Sequence, residues 1–459
     1  MQPKRVVIIG GGPAGNEAAT HFARWGAEVT VVERDLIGGA AHLLDCVPSK
    51  AMIASGGALA FMARAEGMGI SIGDARPDPQ ALGTRIMGIK NRLENSVTSL
   101  LASQGVEILN GTGRFDGPNR VIVELAEPDE TGATTVERDA DVVVLSTGSR
   151  PRVPEWAPVD GARVLTTRDA YPPPDFPEHM IVIGSGVTGV EFVHMFSSFG
   201  ADVTLIVSRQ QVLPQKDPEV AAALEENFLD RGVRLYKGAR ATGIEVGTDG
   251  VRVICDDGRT AEGTHALLAI GSIPNVEGLG LDEIGVETDY GYVVVNHNLQ
   301  SSHPHIYAAG DISGKLPLSS VASMQGRKIA EHAMGLHERP HRHLDYEKAA
   351  SAIFTDPEIA DVGLAEADAF AEGRKIRVTK VPFATTAKAL INDDPRGFVK
   401  IVSDPATGVV LGGSIVGRHA AELISVLAVA VTAGLSVNDL RECIFVHPTL
   451  AEALTEAAE

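Results

Sequence analysis

The sequence predicts an α/β protein made of two Rossmann-like dinucleotide-binding domains and a C-terminal α+β domain. Two observations predict this fold class. A unit of strand, glycine-rich turn, helix and strand lies near the N-terminus and recurs near residue 180. From Ala349 onward the pattern changes to short strands separated by turns, and helices follow from Ala421. At 459 residues the chain has room for about three domains of roughly 150 residues each.

Composition and charge exclude several classes of protein. Apolar residues make up 44% of the chain and charged residues 22%, which is typical of a globular protein. The formal net charge of −20 argues against nucleic acids and anionic membranes as partners, because both bind basic surfaces. No apolar run approaches the roughly 20 residues of a membrane span, and the first strand begins too early to leave room for a signal peptide. We therefore expect a cytoplasmic protein without a membrane span.

The first unit has the features of a dinucleotide site. Val6–Ile9 is typical of a buried parallel strand. Gly10, Gly12 and Gly15 then form G-x-G-x-x-G, whose glycines supply a tight turn, close approach of the backbone to a pyrophosphate, and tight packing of helix on strand. The helix N-terminus adds hydrogen-bond donors for the phosphates. Glu33 ends the second strand, where its carboxylate can accept hydrogen bonds from ribose hydroxyls.

The same unit recurs after the strand Met180–Ile183. Its fingerprint glycines are Gly184, Gly186 and Gly189, and a helix to Phe199 follows them. Two complete units imply two bound dinucleotides. Two dinucleotides in one chain suggest electron transfer between them.

The acid of the first unit has no counterpart in the second. Glu33 lies 23 residues after Gly10, and the same spacing from Gly184 leads to Val207, with Arg209 two residues further on. A carboxylate at this position holds the adenosine ribose and repels a 2′-phosphate, whereas an arginine can accept that phosphate. The sequence thus allows NADPH and does not favour a strict preference for NADH. The alternative is that Arg209 is only solvated and that the ribose is held elsewhere.

Further strand-and-turn patterns lie between and after the two units. Thr84–Ala102 is typical of a long helix. Asp141–Ser149 predicts a strand that enters a glycine turn, Ala266–Asn275 repeats that pattern, and Ile306–Asp311 is a strand that ends at an acid. The polar segment His337–His343, which contains a proline, is the expected linker to the C-terminal domain.

The stretch Gly38–Lys50 combines a glycine pair, a cysteine and a lysine. Cys46 is expected to open a helix with Lys50 one turn further on, and both the helix dipole and the ammonium group favour a thiolate. The other two cysteines, Cys255 and Cys443, lie far away in the sequence, so neither a disulfide framework nor a zinc ribbon is indicated.

Several motifs follow one another across essentially the whole chain. They are the first G-x-G-x-x-G with Glu33, the glycine pair with Cys46-Val47-Pro48-Ser49-Lys50, Thr147-Gly148, the second G-x-G-x-x-G with Glu191, Ile270–Asn275, Ala309-Gly310-Asp311 and His447–Glu452. Their order resembles that of the FAD-dependent pyridine nucleotide–disulfide oxidoreductases, with lipoamide dehydrogenase and glutathione reductase as the nearest types.

The resemblance implies roles for domains and cofactors. Residues 1–150 and 276–344 would form the FAD-binding domain, 151–275 the NAD(P)H-binding domain, and 345–459 the interface of a homodimer. Glu33 would hold the FAD ribose and Asp311 the ribityl chain. The further cofactor-binding residues that it implies are Gly10, Gly12, Gly15, Gly39, Lys50, Gly113, Thr147, Gly148, Gly184, Gly186, Gly189, Arg209, Gly271 and Ser319. No metal is expected.

Lys50 and Glu191 match the ion pair that the family places beside flavin N5, where hydride arrives. An ammonium group there stabilises negative charge on the reduced flavin, and Glu191 would hold that ammonium group in place. The alternative for each residue is an ordinary charge on a helix surface.

The chain departs from the family pattern at Ala41. The family's redox dithiol is Cys-x-x-x-x-Cys, and the two positions here are Ala41 and Cys46. One sulfur cannot form a disulfide, so ordinary reduction of lipoamide or glutathione is not expected. His447 and Glu452 match the pair that acts in the family as acid and base at the missing thiol. His447 could still protonate a reduced acceptor, while Thr449 and Glu452 also fit a capping box that starts the last helix.

These observations favour an NAD(P)H-dependent flavoprotein that passes two electrons directly from FAD to a quinone-like acceptor. In this the chain is similar to the dithiol-lacking NAD(P)H:quinone reductases of the family, and the run Leu318–Arg327 also fits that group. Three alternatives stay open. They are a single-cysteine peroxide or disulfide reductase that uses Cys46, a soluble pyridine nucleotide transhydrogenase, and a non-catalytic flavin-binding scaffold.

Overall fold

The structure, a computed structural model, describes residues 3–73, 75–336 and 343–459. Apart from its last residue, the expected linker His337–His343 lies outside the described residues. The described chain is a mixed α/β protein, which confirms the predicted fold class. It divides into two compact units. The first contains the residues up to Ser49, Gly83–Arg152 and Ser272–Tyr346, and the second contains Lys50–Leu82, Val153–Gly271 and Glu347–Glu459.

The strands are numbered in chain order. They are β1 (Arg5–Ile9), β2 (Glu28–Glu33), β3 (Glu107–Phe115), β4 (Arg120–Leu125), β5 (Thr135–Asp139), β6 (Val142–Leu145), β7 (Ser149–Pro151), β8 (Val164–Thr166), β9 (His179–Ile183), β10 (Asp202–Val207), β11 (Arg234–Lys237), β12 (Ala241–Val246), β13 (Val251–Cys255), β14 (Thr260–Gly263), β15 (His265–Leu268), β16 (Ser272–Pro274), β17 (Thr288–Asp289), β18 (Tyr292–Val293), β19 (Ile306–Ala308), β20 (Ser351–Ile353), β21 (Ile359–Gly363), β22 (Arg377–Pro382), β23 (Phe398–Ser403) and β24 (Val410–Val416).

The α-helices are numbered in the same way, and short 3-10 turns lie between some of them. The α-helices are α1 (Pro13–Arg24), α2 (Gly39–Leu43), α3 (Cys46–Arg64), α4 (Pro79–Ser103), α5 (Val187–Ser198), α6 (Pro218–Asp230), α7 (Leu281–Ile284), α8 (Ser319–Ala333), α9 (Glu366–Ala371), α10 (Ala387–Ile391), α11 (Ala420–Ala433), α12 (Val437–Arg441) and α13 (Glu452–Glu456).

The first unit is built on a seven-stranded sheet. Its order is β19-β6-β1-β2-β3-β4-β5, parallel from β19 to β3 and antiparallel from β3 to β5. Strand β1 is paired with β2 on one side and with β6 on the other, so the strand order reverses beside it. Such a switch point, at the carboxyl ends of the strands, is where open α/β sheets bind ligands. The first G-x-G-x-x-G follows β1 at this place.

Strand β1 is buried on both faces of its sheet. Val6 and Ile8 belong to the core that contains Phe22 of α1, whereas Val7 and Ile9 belong to the core on the other face. A strand covered on both sides is apolar at every position, and this is why the run Val6–Ile9 identified it in the sequence.

The second unit repeats this arrangement. Its parallel sheet has the order β11-β10-β9-β15-β8, so β9 is flanked by β10 and β15 as β1 is flanked by β2 and β6. The antiparallel sheet β12-β13-β14 shares a core with it. The residues after 349 form the antiparallel sheet β20-β21-β24-β23-β22, which packs against α11.

One segment of the described chain, Gly39–Met68, is long and apolar enough to cross a membrane by length and composition alone. This is weak evidence, because core helices of soluble proteins pass the same test. The segment is also divided, since α2 ends at Leu43 and α3 begins at Cys46. Lys50 and Arg64 within α3 form ion pairs with the rest of the second unit. A membrane-crossing helix would have to give these ion pairs up.

Candidate active site

The turn between β1 and α1 assigns different tasks to its three fingerprint glycines. Gly10 has a φ of +109°, and a Cβ there would lie 2.3 Å from the carbonyl oxygen of Ser146. A Cβ on Gly15 would lie 2.0 Å from the carbonyl oxygen of Gly10. A Cβ on Gly12 would have only the oxygen of Ser146 near it, at 4.0 Å. The protein itself requires glycine at positions 10 and 15, whereas Gly12 leaves open space where a phosphate can approach the backbone.

Glu33 is held in place at the end of β2. Its Oε2 accepts a hydrogen bond from the N–H of Gly11 at 2.7 Å, and its Oε1 accepts one from the N–H of Asp35 at 2.8 Å. An ionised carboxylate has about four acceptor positions, so two remain for the hydroxyls of a ribose. Gly39 packs beside this turn, because a Cβ on it would lie 2.6 Å from the Cα of Gly12.

Thr147 and Gly148 form hydrogen bonds with Asn275, the last residue of the motif Ile270–Asn275. The hydroxyl of Thr147 donates to the carbonyl oxygen of Asn275 at 2.6 Å, and the amide of Asn275 donates back to the carbonyl of Thr147 at 2.9 Å. The N–H of Asn275 also donates to the carbonyl of Gly148 at 3.0 Å. The two motifs therefore join the chain segments that enter and leave the first unit.

Asp311 follows β19 and is oriented by residues of the same unit. The hydroxyl of Ser149 donates to Asp311 Oδ2 at 2.5 Å. The N–H of Gly310 donates to the side-chain oxygen of Gln325 at 2.6 Å, and the amide nitrogen of Gln325 donates to the hydroxyl of Tyr346 at 2.9 Å. The sequence did not identify Gln325 as a site residue. It is buried on α8 and determines how the Gly310-Asp311 turn is presented.

The remaining candidates of the first unit have simpler surroundings. A Cβ on Gly113 would lie 3.2 Å from a methyl carbon of Val32 and 3.4 Å from one of Ile9. Packing of the sheet thus accounts for glycine at position 113. Ser319 is the first residue of α8, a 15-residue helix, and is half-buried.

The second glycine-rich turn has the same geometry as the first. Gly184 has a φ of +109°, and its Cβ would lie 2.3 Å from the carbonyl oxygen of Ala269. A Cβ on Gly189 would lie 1.8 Å from the carbonyl oxygen of Gly184, while one on Gly186 would have nothing within 4 Å. Gly271 has a φ of +92° and open space around it. Again only the middle glycine of the turn faces free space, as a pyrophosphate site requires.

Arg209 lies just after β10 and is exposed. Among the residues that the structure describes, its guanidinium group has no ion-pair or hydrogen-bond partner. Val207 ends the strand at the position that Glu33 occupies in the first unit. The second turn therefore has a free cation where the first has a carboxylate.

Lys50 and Glu191 form an ion pair in the second unit. Lys50 Nζ lies 2.6 Å from Glu191 Oε2. The other carboxylate oxygen, Oε1, accepts a hydrogen bond from the backbone N–H of Phe354 at 3.0 Å. Glu191 is buried on α5, and the Phe354 ring centroid lies 5.3 Å from Lys50 Nζ. Neither residue is a free surface charge, because Glu191 is held at both oxygens and thereby orients the ammonium group.

Phe354 is a second residue that the sequence did not identify. It lies 163 residues from Glu191, directly after β20, and contributes a backbone donor. The only signal in the sequence is the break at Thr355–Glu358, where three polar residues and a proline interrupt the strand pattern. That signal does not reveal the partner.

Cys46 begins α3, as predicted, and its side chain is exposed. The hydroxyl of Ser49 donates to its carbonyl oxygen at 2.9 Å. Ala41 lies in α2. Cys255 and Cys443 are also free thiols, and burial raises the pKa of Cys255. None of the three cysteines is therefore part of a disulfide.

His447 and Glu452 lie together in the second unit. His447 Nδ1 is 2.7 Å from Glu452 Oε1, and the N–H of Thr449 donates to Glu452 Oε2 at 2.9 Å. These bonds, first from Thr449 and then from His447, lower the pKa of Glu452. The capping box is only half formed, since the hydroxyl of Thr449 donates to the carbonyl of Val446 and α13 starts at Glu452. The expectation that Thr449 caps the last helix was thus wrong.

Three carboxylates of the second unit converge closely enough to resemble a metal site. They belong to Asp217, Glu219 and Glu366. Lys400 Nζ lies 2.5 Å from Asp217 Oδ2, 2.6 Å from Glu219 Oε1 and 3.0 Å from Glu366 Oε2. The buried ammonium group occupies the centre of the cluster and satisfies these carboxylates without an ion.

Comparisons with known proteins cover both parts of the chain. A family model described as pyridine nucleotide-disulphide oxidoreductase matches residues 4–326. A second, described as the dimerisation domain of pyridine nucleotide-disulphide oxidoreductases, matches residues 349–458.

Individual relatives match over nearly the whole length. A Mycobacterium tuberculosis protein named NAD(P)H dehydrogenase (quinone) is 42% identical over 461 residues, covering 99% of this chain and 93% of the relative. A dihydrolipoyl dehydrogenase from Haloferax volcanii is 35% identical over 461 residues, covering 99% of this chain and 95% of the relative. The crystal structure of LpdA from Mycobacterium tuberculosis superposes with a TM-score of 0.92 at 41% identity, covering 99% of each chain.

Proposed function

The chain belongs to the pyridine nucleotide-disulphide oxidoreductase family, and we propose that it oxidises NAD(P)H and reduces a quinone-like acceptor without an active-site disulfide. Enzymes of this family use FAD and NAD(P)H. The overall reaction is NAD(P)H + H⁺ + quinone → NAD(P)⁺ + hydroquinone. The observation that carries the proposal is the single thiol of the Gly38–Lys50 stretch, where Ala41 takes the place of the second cysteine.

The residues of the first unit fit FAD. The open face of Gly12 admits a pyrophosphate, Glu33 retains acceptors for the ribose, and Asp311 is presented by Ser149 and Gln325. FAD, when bound, supplies a group that takes up hydride and passes two electrons on. The residues of the chain have to hold that group and control the charge around it.

The second glycine-rich turn would hold NAD(P)H. Gly186 leaves the space for the pyrophosphate. Arg209, exposed and without an ion-pair partner among the described residues, would accept the 2′-phosphate of NADPH. An NADH-specific site would need a carboxylate near Val207, and none follows β10 there. We therefore propose that the enzyme uses NADPH at least as well as NADH.

Lys50 is proposed as the charge-stabilising residue. By the family resemblance its ammonium group would lie beside the flavin, where it would stabilise negative charge. Glu191 accepts one hydrogen bond from Lys50 and one from Phe354, and so it keeps the ammonium group in one position.

The acceptor follows from the missing disulfide. A quinone takes two electrons and two protons without forming a covalent bond to the enzyme, so a single-thiol site does not hinder its reduction. The name of the Mycobacterium tuberculosis relative also supports a quinone. His447, held by Glu452 at 2.7 Å, would supply a proton to the reduced acceptor.

A homodimer is part of the proposal. Residues 349–458 match a dimerisation domain. Close to His447, the side chains of Ile444 and Val446 are 100% and 74% exposed in the single chain. Apolar groups this exposed beside a candidate proton donor are typical of a surface that a second copy covers.

The test is steady-state reduction of a soluble naphthoquinone by NADPH, compared with reduction of lipoamide by NADH. We expect turnover with the quinone and almost none with lipoamide. Cys46→Ser should keep most of the quinone activity, and Cys443→Ser serves as the matched thiol control. Turnover of lipoamide at a rate comparable to that of the quinone would contradict the proposal.

One alternative has a specific observation in its favour. Cys46 is exposed at the start of a 19-residue helix, a position that suits a reactive thiol. A single-cysteine peroxide or disulfide reductase would lose all activity in Cys46→Ser. Reduction of thio-NAD by NADPH, measured in the same preparation, separates both enzymes from a transhydrogenase.

A further inference from the structure

The segment Phe354–Asp356 connects the Lys50–Glu191 pair to a group of arginines. At one end, the N–H of Phe354 donates to Glu191. At the other end, Asp356 Oδ2 lies 2.6 Å from a guanidinium nitrogen of Arg64, and Asp356 Oδ1 lies 2.6 Å from one of Arg396. All of these residues belong to the second unit.

The carboxylate of Asp356 fixes one end of this segment through ion pairs with Arg64 and Arg396. Burial alone would raise its pKa, but the guanidinium groups of Arg396 and Arg64 outweigh burial and hold the pKa at about 2. Its side chain is only 18% exposed, and it remains ionised across the working range of a protein. Two charge-assisted hydrogen bonds therefore hold the backbone two residues away from the Phe354 N–H.

Helix α3 contains both Lys50 and Arg64, the arginine that binds Asp356. Lys50 lies near the start of α3 and Arg64 at its end. Midway, a Cβ on Gly56 would lie 3.2 Å from the Cβ of Ser198, so α3 touches α5, the helix that carries Glu191. Helix α5 is fixed separately, because Arg231 donates to His194 Nδ1 at 3.1 Å. The segment Phe354–Asp356 thus connects Glu191 to Arg64 and Arg396.

We propose that Asp356 is a positioning residue for the Lys50–Glu191 pair, acting through the backbone N–H of Phe354. Its loss lets that N–H move away from Glu191, and the carboxylate then no longer holds the Lys50 ammonium group in one place. The inference rests on the role proposed for Lys50. Reduction of the flavin by NADPH does not involve the final acceptor, so failure of this inference and failure of the quinone proposal are measured separately.

The chain offers a matched control at Asp394. This carboxylate is also buried and lies on the same two guanidinium groups, 2.6 Å from Arg396 and 3.7 Å from Arg64. It is not part of the segment that carries Phe354. Asp356→Asn and Asp394→Asn each remove one negative charge from the same cluster, and both are expected to lower Tm.

The first measurement needs no cofactor. Hydrogen–deuterium exchange, followed by mass spectrometry of the peptide that contains the Phe354 amide, reports how well this N–H is protected. We expect exchange to be about tenfold faster in Asp356→Asn and nearly unchanged in Asp394→Asn. Equal protection of the Phe354 amide in wild type and Asp356→Asn would overturn the proposal.

The second measurement is anaerobic stopped-flow reduction of the holoenzyme by NADPH. Asp356→Asn should lower the limiting rate constant about tenfold and leave the apparent Kd of NADPH within about twofold. Asp394→Asn should leave both within about twofold. In a Glu191→Gln background the added Asp356→Asn should slow reduction by less than about twofold, because the residues act as one unit.

Two results would show that Asp356 affects stability alone. One is equal slowing of flavin reduction in Asp356→Asn and Asp394→Asn. The other is a double variant with Glu191→Gln in which the rate effects of Glu191→Gln and Asp356→Asn multiply. If Asp356→Asn does not fold, Arg64→Gln decides the question, since Arg64 is the more exposed of the two arginines at 36%. It should raise exchange at Phe354 and lower the limiting rate constant in the same direction. Unchanged exchange and rate in Arg64→Gln would refute the proposal.

Discussion

Replacing Glu191 with glutamine tests the ion pair on which the proposed hydride step depends. In the wild type the buried carboxylate accepts hydrogen bonds from Lys50 Nζ at 2.6 Å and from Phe354 N at 3.0 Å. Glutamine has one acceptor oxygen and one donor NH₂ group. Whichever way its amide turns, one of the two donors faces another donor. Glu191→Gln therefore keeps the size of the side chain but loses its charge and one hydrogen bond.

The size of the effect follows from this geometry. A hydrogen bond to a charged group contributes about 1.5–3 kcal/mol. Lys50 is 29% exposed, so water screens part of the interaction, and the lower end of that range applies. About 1.4 kcal/mol corresponds to a tenfold change in rate. We expect the limiting rate constant of flavin reduction, measured by anaerobic stopped-flow with saturating NADPH, to fall about tenfold.

The second unit contains a control with almost the same chemistry. The Glu225 carboxylate accepts hydrogen bonds from Lys237 Nζ at 2.6 Å and from the N–H of Val212 at 2.9 Å. Glu225→Gln should lower Tm much as Glu191→Gln does and leave the reduction rate within about twofold. The reasoning is refuted if Glu191→Gln reduces its flavin at the wild-type rate, or if the two variants are slowed equally.

Three further predictions concern charge and space. Gly12→Ala should keep the wild-type Tm of the apoprotein and lose most of the bound FAD. Gly15→Ala should instead lower the free energy of unfolding by about 3 kcal/mol or more, because its Cβ would lie 2.0 Å from a carbonyl oxygen. Melting curves of the apoprotein and the flavin content distinguish the two variants. Arg209→Ala should raise the KM for NADPH at least about tenfold and leave that for NADH within about twofold, in steady-state assays. The pKa of Asp356 is lowered on folding from 3.8 to about 2, so its ion pairs stabilise the fold above about pH 4. This stability is lost as the pH falls toward 2. The Tm, measured between pH 5 and about pH 2, should therefore fall less steeply for Asp356→Asn than for wild type.

The two glycine-rich turns show why some features can be assigned from sequence. The tasks of Gly10 and Gly15 depend on a positive φ and on a contact between residues five positions apart. Such requirements are local, and every chain that makes this turn meets them with the same residue type. Glu33 is assigned for a similar reason, because the end of β2 always lies beside the turn in a βαβ unit.

The last helix shows where a local pattern misleads. Thr449 and Glu452 have the spacing of a capping box. In the folded protein the hydroxyl of Thr449 is bound to the carbonyl of Val446, and Glu452 is shared between the Thr449 N–H and His447. A pattern of two residues cannot reveal that the hydroxyl of Thr449 bonds to the carbonyl of a third residue, Val446.

Sequence alone was sufficient for the fold class, both glycine-rich turns and the contrast between Glu33 and Arg209. The pairing of Lys50 with Glu191 followed from the resemblance to the family. Phe354, Gln325 and Asp356 became visible only after folding. Phe354 acts through its backbone N–H, which every residue except proline possesses, so no residue type marks it. Gln325 holds the Gly310-Asp311 turn, and Asp356 holds the segment Phe354–Asp356 through Arg64, which lies far away in the chain. Their roles depend on contacts that only the packed protein creates.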